Sequence, residues 1–437
     1  MEVTSVLWSM PFLGIIFSMS CFPLLCPRLW SRCAGYVPLF WISVYVLAVG
    51  GFLGVAHVIP AICEPIITDY LPFIILISAL YIVSGGIFIS FSRGHGPIFN
   101  TAYLFVGSII AGWIGTTGAA ALLIRPFLRA NQGRKYTVHL MVFFIFLVAN
   151  VGGAATPLGD PPLFIGFLKG VDFFWFIRHL FPILFGTITV LCGIFFLLDL
   201  ILFRLDLGIT YERSEGPFLQ IQGMGNVILI VMILLVVIFC NFDGAFILYG
   251  ERFSYASILR NTLLAIISLV SLKITPTEIR RKNDFSFAPI REIAELFAGI
   301  FITVAPIIDM LHRGPNGEFG WIFEWIAPGG EFLASRCFWA SGILSAILDN
   351  APTFLIFFHL TSGDPHVLMT LKSNILMAFS ISTVFMGALT YIGNAPNLIV
   401  KSISVNHGVR VPSFMGYMKW SCLILLPIFV VISQFLK

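Results

Sequence analysis

Long apolar runs, each ended by a short polar stretch, recur from one end of the chain to the other. They fall at about 3–24, 36–57, 71–91, 98–128, 138–168, 177–203, 225–241, 261–273, 293–311, 337–359, 373–403 and 414–436. Many reach the roughly 20 residues that a helix needs to cross hydrocarbon, whereas a barrel would show alternating segments of about ten. The pattern predicts an all-α polytopic membrane protein. Two runs, 98–128 and 138–168, are too long or too punctuated by Gly and Pro to be simple helices. The first predicts a re-entrant hairpin turning at Gly115-Thr116-Thr117-Gly118, the second a broken helix. The opening Met1-Glu2 lacks the basic region of a cleavable signal peptide, so the first run is expected to be a retained span.

The basic residues orient these spans. With the N-terminus outside, Arg28 and Arg32 fall in the cytoplasm, and the next loop, carrying Glu64 and Asp69, falls outside. Arg93 then lies inside, as do Arg129, Arg134 and Lys135 if 98–128 enters the membrane and returns to the same face. The later clusters (Arg204 and Arg213; Lys273, Arg280, Arg281, Lys282 and Arg291; Lys401 and Arg410) also lie inside, as the positive-inside rule asks. The polar connections are 204–224 and 274–292. This divides the chain into N-terminal helices (1–97), the stretch holding the hairpin and broken helix (98–203), further helices with cytoplasmic linkers (204–292) and a C-terminal stretch (293–437).

One short pattern occurs twice. Gly153-Ala154-Ala155-Thr156-Pro157-Leu158-Gly159-Asp160-Pro161-Pro162 aligns with Gly387-Ala388-Leu389-Thr390-Tyr391-Ile392-Gly393-Asn394-Ala395-Pro396 at an offset of 234 residues. Its context repeats too. The Thr116-Thr117 turn precedes the first copy, and Leu348-Asp349-Asn350-Ala351-Pro352-Thr353 precedes the second at a similar distance. Each half therefore holds a hairpin tip followed by a broken helix, and an odd number of crossings between them inverts the second copy. Two inverted repeats of this kind are how many secondary transporters are built. Gly and Pro in mid-membrane (Gly159, Pro161, Pro162, Gly393, Pro396) unwind backbone that hydrocarbon would forbid unless it lines a cavity.

Asp160 and Asp349 are the carboxylates at these interruptions. A carboxylate inside a membrane costs about 2.5–3.5 kcal/mol or more, so it is usually functional. Asp160 also suits the N-cap of the half-helix that restarts at Pro161, and Asp349 suits a cap at its own tip. With Thr156, Thr390, Asn350, Asn394 and Asn397 they form an oxygen-rich set suited to a hard cation such as Na⁺. Low dielectric favours the protonated carboxyl, so one group can exchange a proton for the cation without any cofactor. Thr116, Thr117 and Thr353 are the hairpin-tip hydroxyls. Arg125 can hold an anionic substrate, neutralise Asp160 or snorkel to the surface. Asp309 and Asp199 read as lying near membrane faces.

Composition narrows the classes further. Of 437 residues 58% are hydrophobic and 11% charged, and 45 are Phe. The net charge of +4 needs no nucleic-acid partner once orientation explains where the basic residues sit. Eight cysteines are scattered without a C-x-x-C pair, and His57, His95, His139 and His179 show no metal-ligand spacing. No P-loop, nucleophile elbow or zinc signature is present, which argues against an enzyme and against ATP-driven transport within this chain.

At the two broken-helix motifs, the Gly115–Gly118 turn, Leu123-Ile124-Arg125-Pro126 and the 348–353 tip, the chain resembles the ion transporter superfamily. The likeness is nearest to its citrate-transporter and NhaD-like sodium:proton antiporter branch, and spans roughly 90–430. It implies a scaffold domain and a transport domain moving as an elevator, often in a homodimer, in a bacterial-type inner membrane. The Asp349-Asn350 pair matches the antiporter branch, whereas the symporter branch carries Ser-Asn-Thr at both tips. The expected activity is sodium/proton antiport. Transport of citrate or another dicarboxylate coupled to Na⁺ or H⁺ is the alternative.

Overall fold

The computed structural model describes residues 6–26, 33, 35–91, 96–206, 218–240, 242, 244–248 and 251–436. Arg28, Arg32, Arg93, His95 and Arg213 lie outside the described residues. The chain is mostly helical, and among the described residues seven helices are long and apolar enough to cross a bilayer. Two short antiparallel ribbons join them: β1 (Phe88–Phe91) pairs with β2 (Leu219–Gln222), and β3 (Ala245–Leu248) with β4 (Glu251–Ser254).

The first helices are α1 (Met10–Leu25), α2 (Tyr36–Phe52) and α3 (Val55–Ser84). Residues 58–70, expected as an outer loop, are helical, so Glu64 and Asp69 sit within α3. Pro65 and Pro72 each remove a helical donor, and the turn between them widens to a π-helix over Ile66–Tyr70 rather than ending the helix. The expected span 71–91 also stops early, at Ser84, because Phe88–Phe91 forms a strand with residues from the 204–224 connection.

Next come α4 (Pro97–Ile114) and α5 (Thr116–Ala130), joined at Gly115, whose φ of +81° suits a residue without a side chain. Asn100, near the start of α4, and Asn131, just past α5, exchange side-chain hydrogen bonds at 2.9 Å. Both ends of this hairpin therefore lie on one face. Lys135 N donates to Asp206, Arg129 reaches the Ile89 carbonyl and Arg280 the Ile82 carbonyl, so the basic residues gather there. α6 (Val138–Leu147) leads through a 3-10 turn (Val151–Ala155) and an extended break to α7 (Pro161–Leu168); α8 (Phe173–Leu205) follows.

α9 (Met224–Phe239), α10 (Tyr255–Ile274), the short α11 (Thr277–Lys282) and α12 (Ala288–His312) precede a second set. That set is α13 (Ala334–Ile347), α14 (Asn350–Thr361), α15 (Ser373–Met386) with a 3-10 turn (Gly387–Leu389), α16 (Ala395–Asn406) and α17 (Phe414–Phe435). Thr116 and Asn350, which begin α5 and α14, stand 234 residues apart, as do Pro161 and Ala395, which begin α7 and α16. The packing is reciprocal: α7 lies on α14 and α16 on α5.

Burial sorts the helices. The stretch Val138–Ala155 is 89% buried, whereas α10 and α17 are 28% buried and turn Leu269, Leu423 and Phe435 outward. An apolar outer face with a buried polar centre is what lipid solvent demands. The chain is a multi-pass membrane protein.

Candidate functional site

The two breaks meet at a polar centre in which every side chain is buried. Pro161 and Pro162 open α7 and Pro396 lies in the first turn of α16, where a missing N–H costs nothing. Asp160 stands at the N-cap position of α7, yet its carboxylate makes no capping bond. Instead it faces across the break. Its Oδ1 accepts from Thr116 Oγ1 at 2.7 Å and from Asn394 Nδ2 at 3.3 Å, and its Oδ2 accepts from Asn350 Nδ2 at 2.5 Å. Those donors belong to the first tip, the second broken helix and the second tip. Three donors from three separate elements thus converge on one buried carboxylate.

Two threonines fasten the tips. Thr156 Oγ1 donates to the Gly112 carbonyl at 2.5 Å and accepts from Leu158 N at 3.1 Å. Thr390 repeats this, donating to the Ala346 carbonyl at 2.6 Å and accepting from Gly393 N at 3.0 Å. Gly112 and Ala346 lie in the last turns of α4 and α13, where carbonyls lack intrahelical partners. Thr116 N also donates to the Gly159 carbonyl at 2.7 Å. A side chain at Gly159 would run into the backbone of Gly153, and one at Gly393 would meet the Gly387 carbonyl at 2.7 Å. Glycine at both positions lets the break fold back on itself.

Asn397 stitches the second break from inside: its Nδ2 donates to the carbonyls of Gly387 (2.9 Å) and Thr390 (3.0 Å). Its Oδ1 accepts from Asn150 Nδ2 at 2.7 Å, and Asn150 Oδ1 accepts from Asn394 at 3.2 Å. Asn150 escaped the sequence reading. Its signal was a lone amide in the apolar run before Val151-Gly152-Gly153. Ser345, which escaped too, sits 2.9 Å from Asn350 Oδ1.

The other expected residues are placed differently. Asp349 does cap its helix, Oδ1 accepting from Ala351 N at 3.3 Å, and also lines a cavity of about 500 Å³. Thr353 turns its hydroxyl back onto the Asp349 carbonyl at 2.9 Å and is not presented to that cavity. Arg125 makes no bond to Asp160. It lines the same cavity, donates to the Ala121 carbonyl and pairs with Asp284 at 3.4 Å. Glu292 also lines that cavity, so its wall carries Asp284, Glu292 and Asp349 against one arginine. Thr116, Thr117 and Asp160 line a second, small cavity of about 20 Å³, large enough for a water-sized species.

Asp199, expected near a membrane face, lies close to the end of α8 beside the base of the first hairpin and is fully buried. Arg134 and His139 both bind its Oδ1 and Asn100 binds its Oδ2, which locks α8 to the base of the first hairpin. Among the described residues no three His, Cys, Asp or Glu side chains converge as a metal cluster. The residues that meet are a carboxylate, amides and hydroxyls, a set that can trade a proton for a small cation. A family model described as "Putative citrate transport" matches residues 1–436. No curated protein matches the chain.

Proposed function

The chain belongs to the family described as "Putative citrate transport", and from that premise we propose a secondary transporter that exchanges Na⁺ for protons at Asp160. The observation that carries this reading is the grip on Asp160 by Thr116, Asn350 and Asn394, which draws both hairpin tips and the second broken helix onto one carboxylate. Ionised Asp160 is held by donors. When Na⁺ arrives, the two amides turn their oxygens inward and the hydroxyl of Thr116 offers a lone pair, giving the hard-oxygen shell that a small cation needs. A proton on Asp160 removes the charge that holds the ion. Asp349, at the wall of the larger cavity, is the relay between Asp160 and the basic, cytoplasmic face.

The charge of that cavity favours a cation. Three carboxyl groups line it beside one guanidinium that already pairs with Asp284, a wall better suited to a cation than to a polyanion. The matched offsets of tips and breaks support inverted repeats, with the unit 98–203 and its counterpart within 293–437 moving as an elevator against the remaining helices. We place the protein in a bacterial-type inner membrane, as a homodimer. A second reading, citrate or dicarboxylate transport coupled to Na⁺ or H⁺, is favoured by the family's description and by Arg125 in the cavity wall.

The test is reconstitution into liposomes holding a pH dye, acid inside. Alkalinisation of the lumen on adding Na⁺ or Li⁺ supports antiport. No response to cations, with labelled citrate or succinate accumulating, moves the assignment to the second reading.

A further inference from the structure

Ser345 lies on α13, fully buried, about one turn before the second tip. Its hydroxyl oxygen is 2.6 Å from the Thr383 carbonyl oxygen and 2.9 Å from Asn350 Oδ1. Both neighbours are acceptors as they stand. A hydroxyl has one proton and two lone pairs, so Ser345 cannot donate to both at once. Asn350 in turn sets its Nδ2 2.5 Å from Asp160 Oδ2. The groups form an unbroken line: Thr383 carbonyl, Ser345 hydroxyl, Asn350 amide, Asp160 carboxylate.

That line has two self-consistent settings. In the first, Ser345 gives its proton to Asn350 Oδ1, and the amide gives an N–H to ionised Asp160. In the second, Ser345 gives its proton to the Thr383 carbonyl and accepts an N–H from the amide, which has turned by half a rotation. Asn350 Oδ1 then faces Asp160. Two oxygens that close repel unless a proton or a cation stands between them. The rotation needs room beside the amide. A side chain at position 387 would collide with Asn350 Oδ1 and lie 3.1 Å from Asn150 Oδ1, so Gly387 keeps that space free.

We infer that Ser345 is a positioning residue whose single proton selects which end of the Asn350 amide Asp160 meets, so that an oxygen is offered only when the carboxylate holds a proton or Na⁺. The inference rests on the cation-exchange reading of Asp160. It also fixes a direction. Ser345 makes one hydrogen bond in the first setting and two in the second, so losing the hydroxyl weakens the cation-holding setting by one net bond. One net bond corresponds to about a fivefold change in affinity.

The experiment measures the Na⁺ concentration that half-saturates thermal stabilisation of the purified full-length protein. Ser345→Ala is expected to raise it about fivefold, and Ser345→Thr, which keeps the hydroxyl, to restore it. Should the alanine variant fail to fold, Ser345→Cys, with a weak S–H donor of similar size, is expected to give an intermediate rise. A purely structural serine would lower the melting temperature without Na⁺ and leave the half-saturating concentration unchanged, which overturns the inference. A wild-type protein that no cation stabilises would sink the antiport reading itself, and the role of Ser345 with it.

Discussion

Replacing Thr156 by valine keeps the shape of the side chain and removes only its hydroxyl, which isolates the tether between the first tip and the first break. Two buried groups lose their partners: the Gly112 carbonyl, bonded at 2.5 Å, and Leu158 N, bonded at 3.1 Å. Each unpaired buried polar group costs about 1–3 kcal/mol, so the variant should lose about 2–6 kcal/mol. Thr156→Ser keeps the hydroxyl and gives up one methyl, worth about 0.8 kcal/mol. The assay is denaturant unfolding of purified protein in detergent, run beside transport in liposomes. Thr156→Val should lower the unfolding midpoint well below that of Thr156→Ser. It should also slow exchange, because Thr116, which donates to both Gly159 and Asp160, sits on the loosened tip. Thr390→Val should repeat both effects in the second half. Equal midpoints for the valine and serine variants would refute the tether.

Two further outcomes follow from the same geometry. Arg134→Met leaves Asp199, whose side chain is fully buried, with His139 and Asn100 alone, and should cost about 3–5 kcal/mol in the same unfolding assay; replacing Asp199 by leucine as well should recover most of it. Arg125→Gln should leave Na⁺/H⁺ exchange in liposomes largely intact, since Arg125 touches Asp284 rather than Asp160, whereas a citrate carrier would lose uptake of labelled citrate.

The breaks were legible in sequence because the Gly and Pro interruptions fall at matched positions, the pattern at 153–162 returning at 387–396. Asp160, Thr116, Asn350 and Asn394 were all named from it. Their mutual contacts were not legible: Asp160 read equally well as a cap, and only packing of α7 on α14 shows where its carboxylate points. Asn150 and Ser345 stayed hidden for a related reason. A single polar residue in an apolar run carries no periodic signal, and its partners lie in another part of the chain. Local signals also misled at 58–70, where Glu64 and Asp69, with no Lys or Arg beside them, suggested an outer loop. A π-turn over Ile66–Tyr70 carries the helix on past Pro65, and Lys169 reaches across to neutralise Asp69 at 2.8 Å. The strand at Phe88–Phe91 could not be told from the end of a helix, because its pairing partner, Leu219–Gln222, is remote in sequence.

The most direct test is the neutral variant Asp160→Asn, reconstituted beside the wild type and challenged with Na⁺ across an acid-inside gradient. The account predicts that the variant folds and inserts like the wild type, keeps its amide neighbours, and shows no Na⁺-driven alkalinisation of the lumen. Exchange at the wild-type rate would contradict it, and would reduce Asp160 to a residue that only holds the tips together.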